Sequence, residues 1–281
     1  MRWFFALNAE CTTFSPYAEM VQVAVWSARA NTRLEPHFLY DGDDDPPLLA
    51  WLRGQGVEVW RCRSRYYPAL CELATELNRP DARTCGGGAF LRVEITDLLR
   101  QHDICDEHVL YTDCDVMFRA DPEPVLRRQP CRFFACAPEA LRGTPTNMNT
   151  GVMLLHVPAL ARLQAEFVAF TRAHLREFVT IAFDQTAYQQ FYRGPLPRWS
   201  WPWRRGWDVL PDELNWKPYW GPNSDAIIVH FHGPKPFHRA WLQGEGKDHM
   251  LQQLAGGDYL AMTHEWYAIQ EKLRAASAAQ T

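Results

Sequence analysis

Two periodicities alternate through the first 62 residues, and that alternation constrains the fold more than any other feature of this 281-residue chain. Residues 3–7 are an apolar run, and residues 17–30 carry Val21, Ala24, Val25 and Ala28 at helical spacing. Residues 37–40 are apolar again and stop at Asp41-Gly42 before a run of acids. Residues 47–53 make a short helix, and residues 57–62 follow Gly54 and Gly56 as a third strand. Strand, helix, strand, helix, strand predicts a parallel sheet with right-handed crossovers. Such sheets bind ligands at the carboxyl ends of their strands, near a switch point in strand order. Asn8 lies at one such end.

Asp113 lies at another. In Val109-Leu110-Tyr111-Thr112-Asp113-Cys114-Asp115-Val116-Met117-Phe118 an apolar strand ends on two carboxylates two residues apart. Side chains alternate along an extended chain, so Asp113 and Asp115 share a face and Cys114 points away. Carboxylates aimed at one point repel unless a cation sits between them. Magnesium and manganese take oxygen ligands and complete their shells with water and phosphates. A solvated acidic turn is the competing reading of this stretch.

Composition narrows the partners. With 47% hydrophobic and 22% charged residues the chain is ordinary for a globular protein. A net charge of -4 argues against nucleic acid as the main partner. Residues 3–7 are too short for a signal-peptide core, and no apolar run approaches a membrane span. The 8 cysteines include no Cys-x-x-Cys pair and suggest reduced thiols in a cytoplasmic protein.

The remainder of the chain adds further candidates. Periodicity is lost over residues 63–88, a stretch ending in Gly86-Gly87-Gly88 that suits a lid or a mobile surface connection. A helix is expected over 89–100, with Arg92 as a solvated charge in its first turns. A strand over 132–137, a turn over 147–150, a strand over 151–156 and an amphipathic helix over 158–174 follow. Asp184 is placed to cap a helix over 185–192. Six of the 12 tryptophans fall between 193 and 223, interleaved with Arg198, Arg204 and Arg205. Most of them suit closure of the core beneath a long loop, and an exposed one suits a sugar ring or a membrane interface. A last strand over 226–229 runs into His230-Phe231-His232-Gly233-Pro234-Lys235-Pro236, and residues 258–278 form a closing helix. No linker divides the chain into independent domains.

Four features in order, the acidic pair, Asn149-Thr150-Gly151-Val152-Met153-Leu154-Leu155, Phe183-Asp184-Gln185 and His230-Phe231-His232-Gly233-Pro234-Lys235-Pro236, resemble the retaining glycosyltransferases of family 8. That family includes glycogenin and bacterial lipopolysaccharide and capsule transferases. The resemblance covers residues 2–237 and implies a GT-A fold, an α/β/α sandwich on a mostly parallel nucleotide-binding sheet. It implies a catalytic domain over 1–240 with 241–281 as a helical extension packed on it. By motif, Asp113, Asp115 and His230 resemble the ligands of Mn2+ (or Mg2+). Gly233 and Lys235 match positions that hold the donor diphosphate, and Arg92 matches an arginine that reaches phosphate and sugar. Asn149, Asp184 and Gln185 match residues around the donor sugar, and Leu7 and Asn8 resemble the uracil-contacting segment. The chain departs from the family in a shorter spacing between Gly233 and Lys235, in Phe237 where tryptophan is common, and in the extra His232.

The implied activity is transfer of a hexose from a UDP-linked sugar to a glycan or lipid-linked acceptor in cell-surface polysaccharide synthesis. The Trp/Arg loop is then the candidate acceptor contact, with a peripheral place at the inner membrane surface. Retention needs either two displacements or attack on the leaving-group face. Only Asp184 offers itself as a nucleophile in the sequence, whereas the Gln185 amide suits steadying an oxocarbenium-like centre. Two other classes compete. A metal-dependent phosphohydrolase also uses Asp-x-Asp after an apolar strand, but near its N-terminus. A non-catalytic carbohydrate-binding protein would use the tryptophan loop and leave the acid pair unexplained.

Overall fold

The computed structural model describes residues 1–143, 147–193, 206–239 and 253–278. Trp199, Trp201, Trp203, Arg198, Arg204, Arg205 and the expected boundary at 240–241 lie outside the described residues. Strands β1 (Arg2–Asn8), β2 (Glu35–Asp41) and β3 (Glu58–Arg61) pair in parallel, with helices α1 (Phe14–Asn31) and α2 (Pro47–Gly54) crossing between them. The alternation in the opening residues therefore forms the expected unit. Phe4 faces one side of β1, while Trp3, Phe5 and Leu7 face the other, and all four are buried. A strand buried on both faces is what an apolar run without polar alternation specifies.

The chain continues through α3 (Tyr67–Glu76), α4 (Asp81–Thr84), α5 (Gly86–Ala89), a 3-10 turn (Phe90–Glu94) and α6 (Ile95–Gln101). Strands β4 (His108–Thr112) and β5 (Val116–Phe118) follow, then α7 (Glu123–Leu126), β6 (Phe134–Pro138), β7 (Met148–His156), α8 (Val157–Phe178) and α9 (Phe183–Arg193). Strands β8 (Asp208–Val209) and β9 (Ile228–His230), 3-10 turns at Asp212–Asn215, Pro218–Trp220 and Pro236–His238, and helix α10 (Tyr259–Ala278) complete the described elements. The main sheet has the order β3-β2-β1-β4-β7-β6-β8, and within it only β7 runs against the others. One core packs α3, α6, α8 and α9 on one face, and a second packs α1 and α2 on the other. A third cluster seats Met262, Trp266 and Leu273 of α10 against Met20 and Val23 of α1.

Three local expectations are corrected. Residues 63–88 fold as helices rather than as a lid or mobile connection. Gly86 and Gly87 are buried, and a Cβ on Gly87 would stand 3.0 Å from Asn8 Nδ2, while one on Gly86 would stand 3.2 Å from the Phe183 ring. The glycines let α5 close against the end of β1, so packing overrides poor helix propensity. Residues 148–150 belong to β7 rather than to a turn. Asp184 lies inside α9 and does not cap it; Arg92 holds its carboxylate.

If the glycine run is a packing device, Gly87→Val should lower the urea-unfolding free energy by about 1–3 kcal/mol through overpacking. An unchanged midpoint would restore the mobile-connection reading.

Candidate functional site

β1 and β4 are neighbours, yet β1 leads through α1 to β2 on one side while β4 pairs with β7 on the other. This is a switch point, and the carboxyl ends of the strands open there onto a cleft of about 390 Å³. Leu7, Asn8, Arg92, Asp113, Asp115, Asn149, Asp184, Gln185 and Lys235 all line it. Residues from opposite ends of the chain are thus brought to one place. Gly233 lies outside the lining, in a turn where its φ of +85° favours glycine.

Asp113 and Asp115 fall between β4 and β5. Cys114 turns into the core and donates its thiol to the Ala6 carbonyl at 2.9 Å, as alternation predicted. Each carboxylate divides its oxygens. Asp113 Oδ1 meets Arg92 Nη2 at 2.8 Å, and its Oδ2 lies 4.0 Å from His230 Nε2. Asp115 Oδ2 pairs with Lys235 Nζ, and its Oδ1 lies 3.3 Å from His230 Nε2. Burial works against charge on Asp115, but the Lys235 ammonium holds its carboxyl well below the usual range.

His230 is fixed from behind. Its Nδ1 is 2.9 Å from Asn215 Oδ1, and Asn215 Nδ2 donates to Asn149 Oδ1 at 3.0 Å. Asn215 therefore offers His230 an acceptor, which places the ring proton on Nδ1 and a lone pair on Nε2. That lone pair converges with two carboxylate oxygens, all within 4.8 Å of one another, and Asp115 Oδ1 is buried with no hydrogen-bond partner. Electron-rich atoms arranged in this way repel unless a cation joins them, so the residues fit a divalent ion. Gly151 makes room for the arrangement, since a Cβ there would stand 2.1 Å from His230 Cε1.

The other wall is built around Arg92, which is 4% exposed and not a solvated charge. Its Nε lies 3.1 Å from Asp184 Oδ2, Nη1 donates to the Thr150 carbonyl, and the guanidinium stacks 4.2 Å above the Tyr111 ring. Burial pushes the Asp184 carboxyl up to about 6 against the opposing pull of Arg92. Gln185 accepts from the Thr150 N–H at 3.1 Å and donates to Glu139 Oε1 at 2.9 Å. Glu139 Oε1 lies 3.6 Å from His232 Nε2, and His232 Nδ1 is hydrogen-bonded to the Tyr219 hydroxyl at 2.8 Å. His232 thus engages Glu139 and not the acidic pair.

Sequence reasoning missed Glu139 and Asn215. Glu139 follows directly on β6, which runs parallel to β4, so an acid just past a parallel strand was an available signal. Asn215 carried none, because it sits in the proline- and tryptophan-rich stretch without periodicity.

No family model and no curated protein matches the sequence. Solved structures do match. The glycosyltransferase GlyE of Streptococcus pneumoniae TIGR4 superposes with a TM-score of 0.56 at 15% identity, over 95% of this chain and 64% of that one. The galactosyltransferase LgtC, in complex with donor and acceptor sugar analogs, gives 0.58 at 17% identity over 91% and 95%. Mouse xyloside xylosyltransferase 1 gives 0.52 at 13% identity over 82% and 97%. The chain spans about 64% of the length of the GlyE protein. At these identities the likeness is one of architecture: the expected α/β GT-A fold, with its mainly parallel sheet, is the fold of this chain.

Proposed function

We propose that the protein is a metal-dependent retaining glycosyltransferase that moves a hexose from a UDP-linked donor to a glycan or lipid-linked acceptor. The observation that carries this reading is the convergence of Asp113, Asp115 and His230 beside Lys235, at the switch point and in the same cleft as Gln185. Asp113 Oδ2, Asp115 Oδ1 and His230 Nε2 are the atoms assigned to Mn2+ or Mg2+. A divalent ion held there supplies Lewis-acid neutralisation of a departing diphosphate.

The protein groups do the rest. Lys235 lies in the cleft as a second positive charge for the diphosphate, and Arg92 is held rigid between two acids on the sugar side. Asn8 Nδ2 and Asp41 Oδ2 are buried without hydrogen-bond partners at directly paired ends of β1 and β2. Of the two, Asn8 lines the cleft, and its unpaired amide donor suits a carbonyl of a base such as uracil. The Gln185 amide is tied at both ends and steadies positive charge at the anomeric carbon. In the same-face reaction, the bond from that carbon to the β-phosphate oxygen breaks as the acceptor oxygen bonds to it, and the acceptor's proton passes to the departing phosphate. The acceptor class, a saccharide of a cell-surface polymer, and a peripheral place at the membrane rest on the family resemblance. Among the described residues no helix is long and apolar enough to cross a membrane.

Three outcomes are expected. UDP-hexoses with Mn2+ should raise the melting temperature of the wild type, and Asp115→Asn should lose the metal-dependent part; retention of the full shift would contradict the ligand assignment. Lys235→Ala should lower kcat for transfer on the order of 10²–10³-fold, as for loss of one preorganised charge-stabilising donor. An unchanged kcat would remove the lysine from the mechanism. The third concerns pH. A carboxyl raised above its usual pKa contributes stability that is present at low pH and lost as pH rises through its folded value. Asp184→Asn should therefore gain melting temperature relative to wild type as pH rises from about 4 to about 6, and level off above the folded value of about 6. A widening deficit over that range would mean that Arg92 stabilises Asp184 as an anion.

A further inference from the structure

The opposite ends of the two strands that carry the cleft hold a second cluster. β4 begins at His108 and β7 ends at His156, and these residues face each other directly in the antiparallel ladder. Their imidazoles stack with centroids 4.8 Å apart and planes at 17°. Glu107 stands beside both. Its Oε2 lies 3.9 Å from His108 Nδ1, and its Oε1 lies 3.9 Å from His156 Nε2.

The His156 ring is anchored through the backbone: its Nδ1 is 2.9 Å from the Arg132 carbonyl. A carbonyl only accepts, so His156 carries its proton on Nδ1 and turns the Nε2 lone pair toward Glu107. Backbone anchoring of the distal nitrogen is how ligating histidines are held in one tautomer and orientation. One potential ligand atom from each of the three residues lies within 4.8 Å of the others. Tetrahedral ligands at 2.0–2.1 Å from an ion stand roughly 3.3 Å apart. The Glu107 side chain is 74% exposed and can rotate to close the gap.

We propose that Glu107, His108 and His156 form a second metal site, one that takes a zinc-class divalent transition ion and clamps β4 to β7. Two imidazoles and one carboxylate favour that class over magnesium or manganese, in contrast to the oxygen-richer set in the cleft. The partly exposed position leaves room for water as a further ligand. Bound there, the ion ties together the far ends of the strands that position Asp113 and Asn149. The proposal does not depend on sugar transfer.

The test titrates the full chain with Zn2+ against a chromophoric chelator, and with Co2+ as a spectroscopic probe. Wild type and Asp115→Asn should both bind an equivalent of Zn2+ that raises the melting temperature. His156→Gln and Glu107→Gln should each bind that equivalent at least about tenfold more weakly. The exposed Glu107 side chain makes its variant safe for folding if His156→Gln is compromised. Zinc binding that is absent from wild type, unchanged in Glu107→Gln, or lost only in Asp115→Asn would overturn the proposal.

Discussion

Asp113 and Asp115 point to one side of the chain from adjacent strand ends, and a pair of carboxylates so close cannot be held there by chain geometry alone. Each has one oxygen neutralised by a basic side chain, Arg92 for Asp113 and Lys235 for Asp115. The remaining oxygens converge on His230 Nε2, whose proton is drawn to the other nitrogen by Asn215. Four separate stretches of chain therefore have to arrive in register before the acids are satisfied. The architecture supplies that register through the switch point between β1 and β4, and through β5 pairing with β9, where Val116 stands opposite His230.

Close packing is the second requirement. Gly151 leaves the space that the His230 ring fills, and Gly87 and Gly88 let α5 press against Asn8 at the end of β1. Both are backbone devices that bring polar groups within ångströms of one another without a side chain between them. They tie the cleft to the core, since the Phe183 ring against Gly86 opens the helix that carries Asp184 and Gln185.

Much of this was legible in the sequence because the signals were periodic. The opening βαβαβ unit, the strand before Asp113 and the helix of α8 each announce themselves by apolar spacing. The acidic pair and the motif around His230 and Lys235 are joined in the sequence by their shared resemblance to one family. What could not be read depends on partners distant in sequence. Arg92 suits a solvated surface charge until Asp113 and Asp184 are placed beside it, and Asp184 suits a helix cap for the same reason. Glu139 and Asn215 act only through Gln185 and His230, so nothing local to them carries their roles. The triple glycine misleads because glycine serves mobile loops and tight packing equally well, and only the neighbours distinguish the two.

On this reading the paired acids and His230 hold a divalent ion beside the cleft. Anomalous diffraction from crystals grown with Mn2+ and a uridine diphosphate tests it most directly. One strong peak is expected among Asp113 Oδ2, Asp115 Oδ1 and His230 Nε2, in contact with the diphosphate. A diphosphate bound in the cleft with no peak among those three atoms would contradict it.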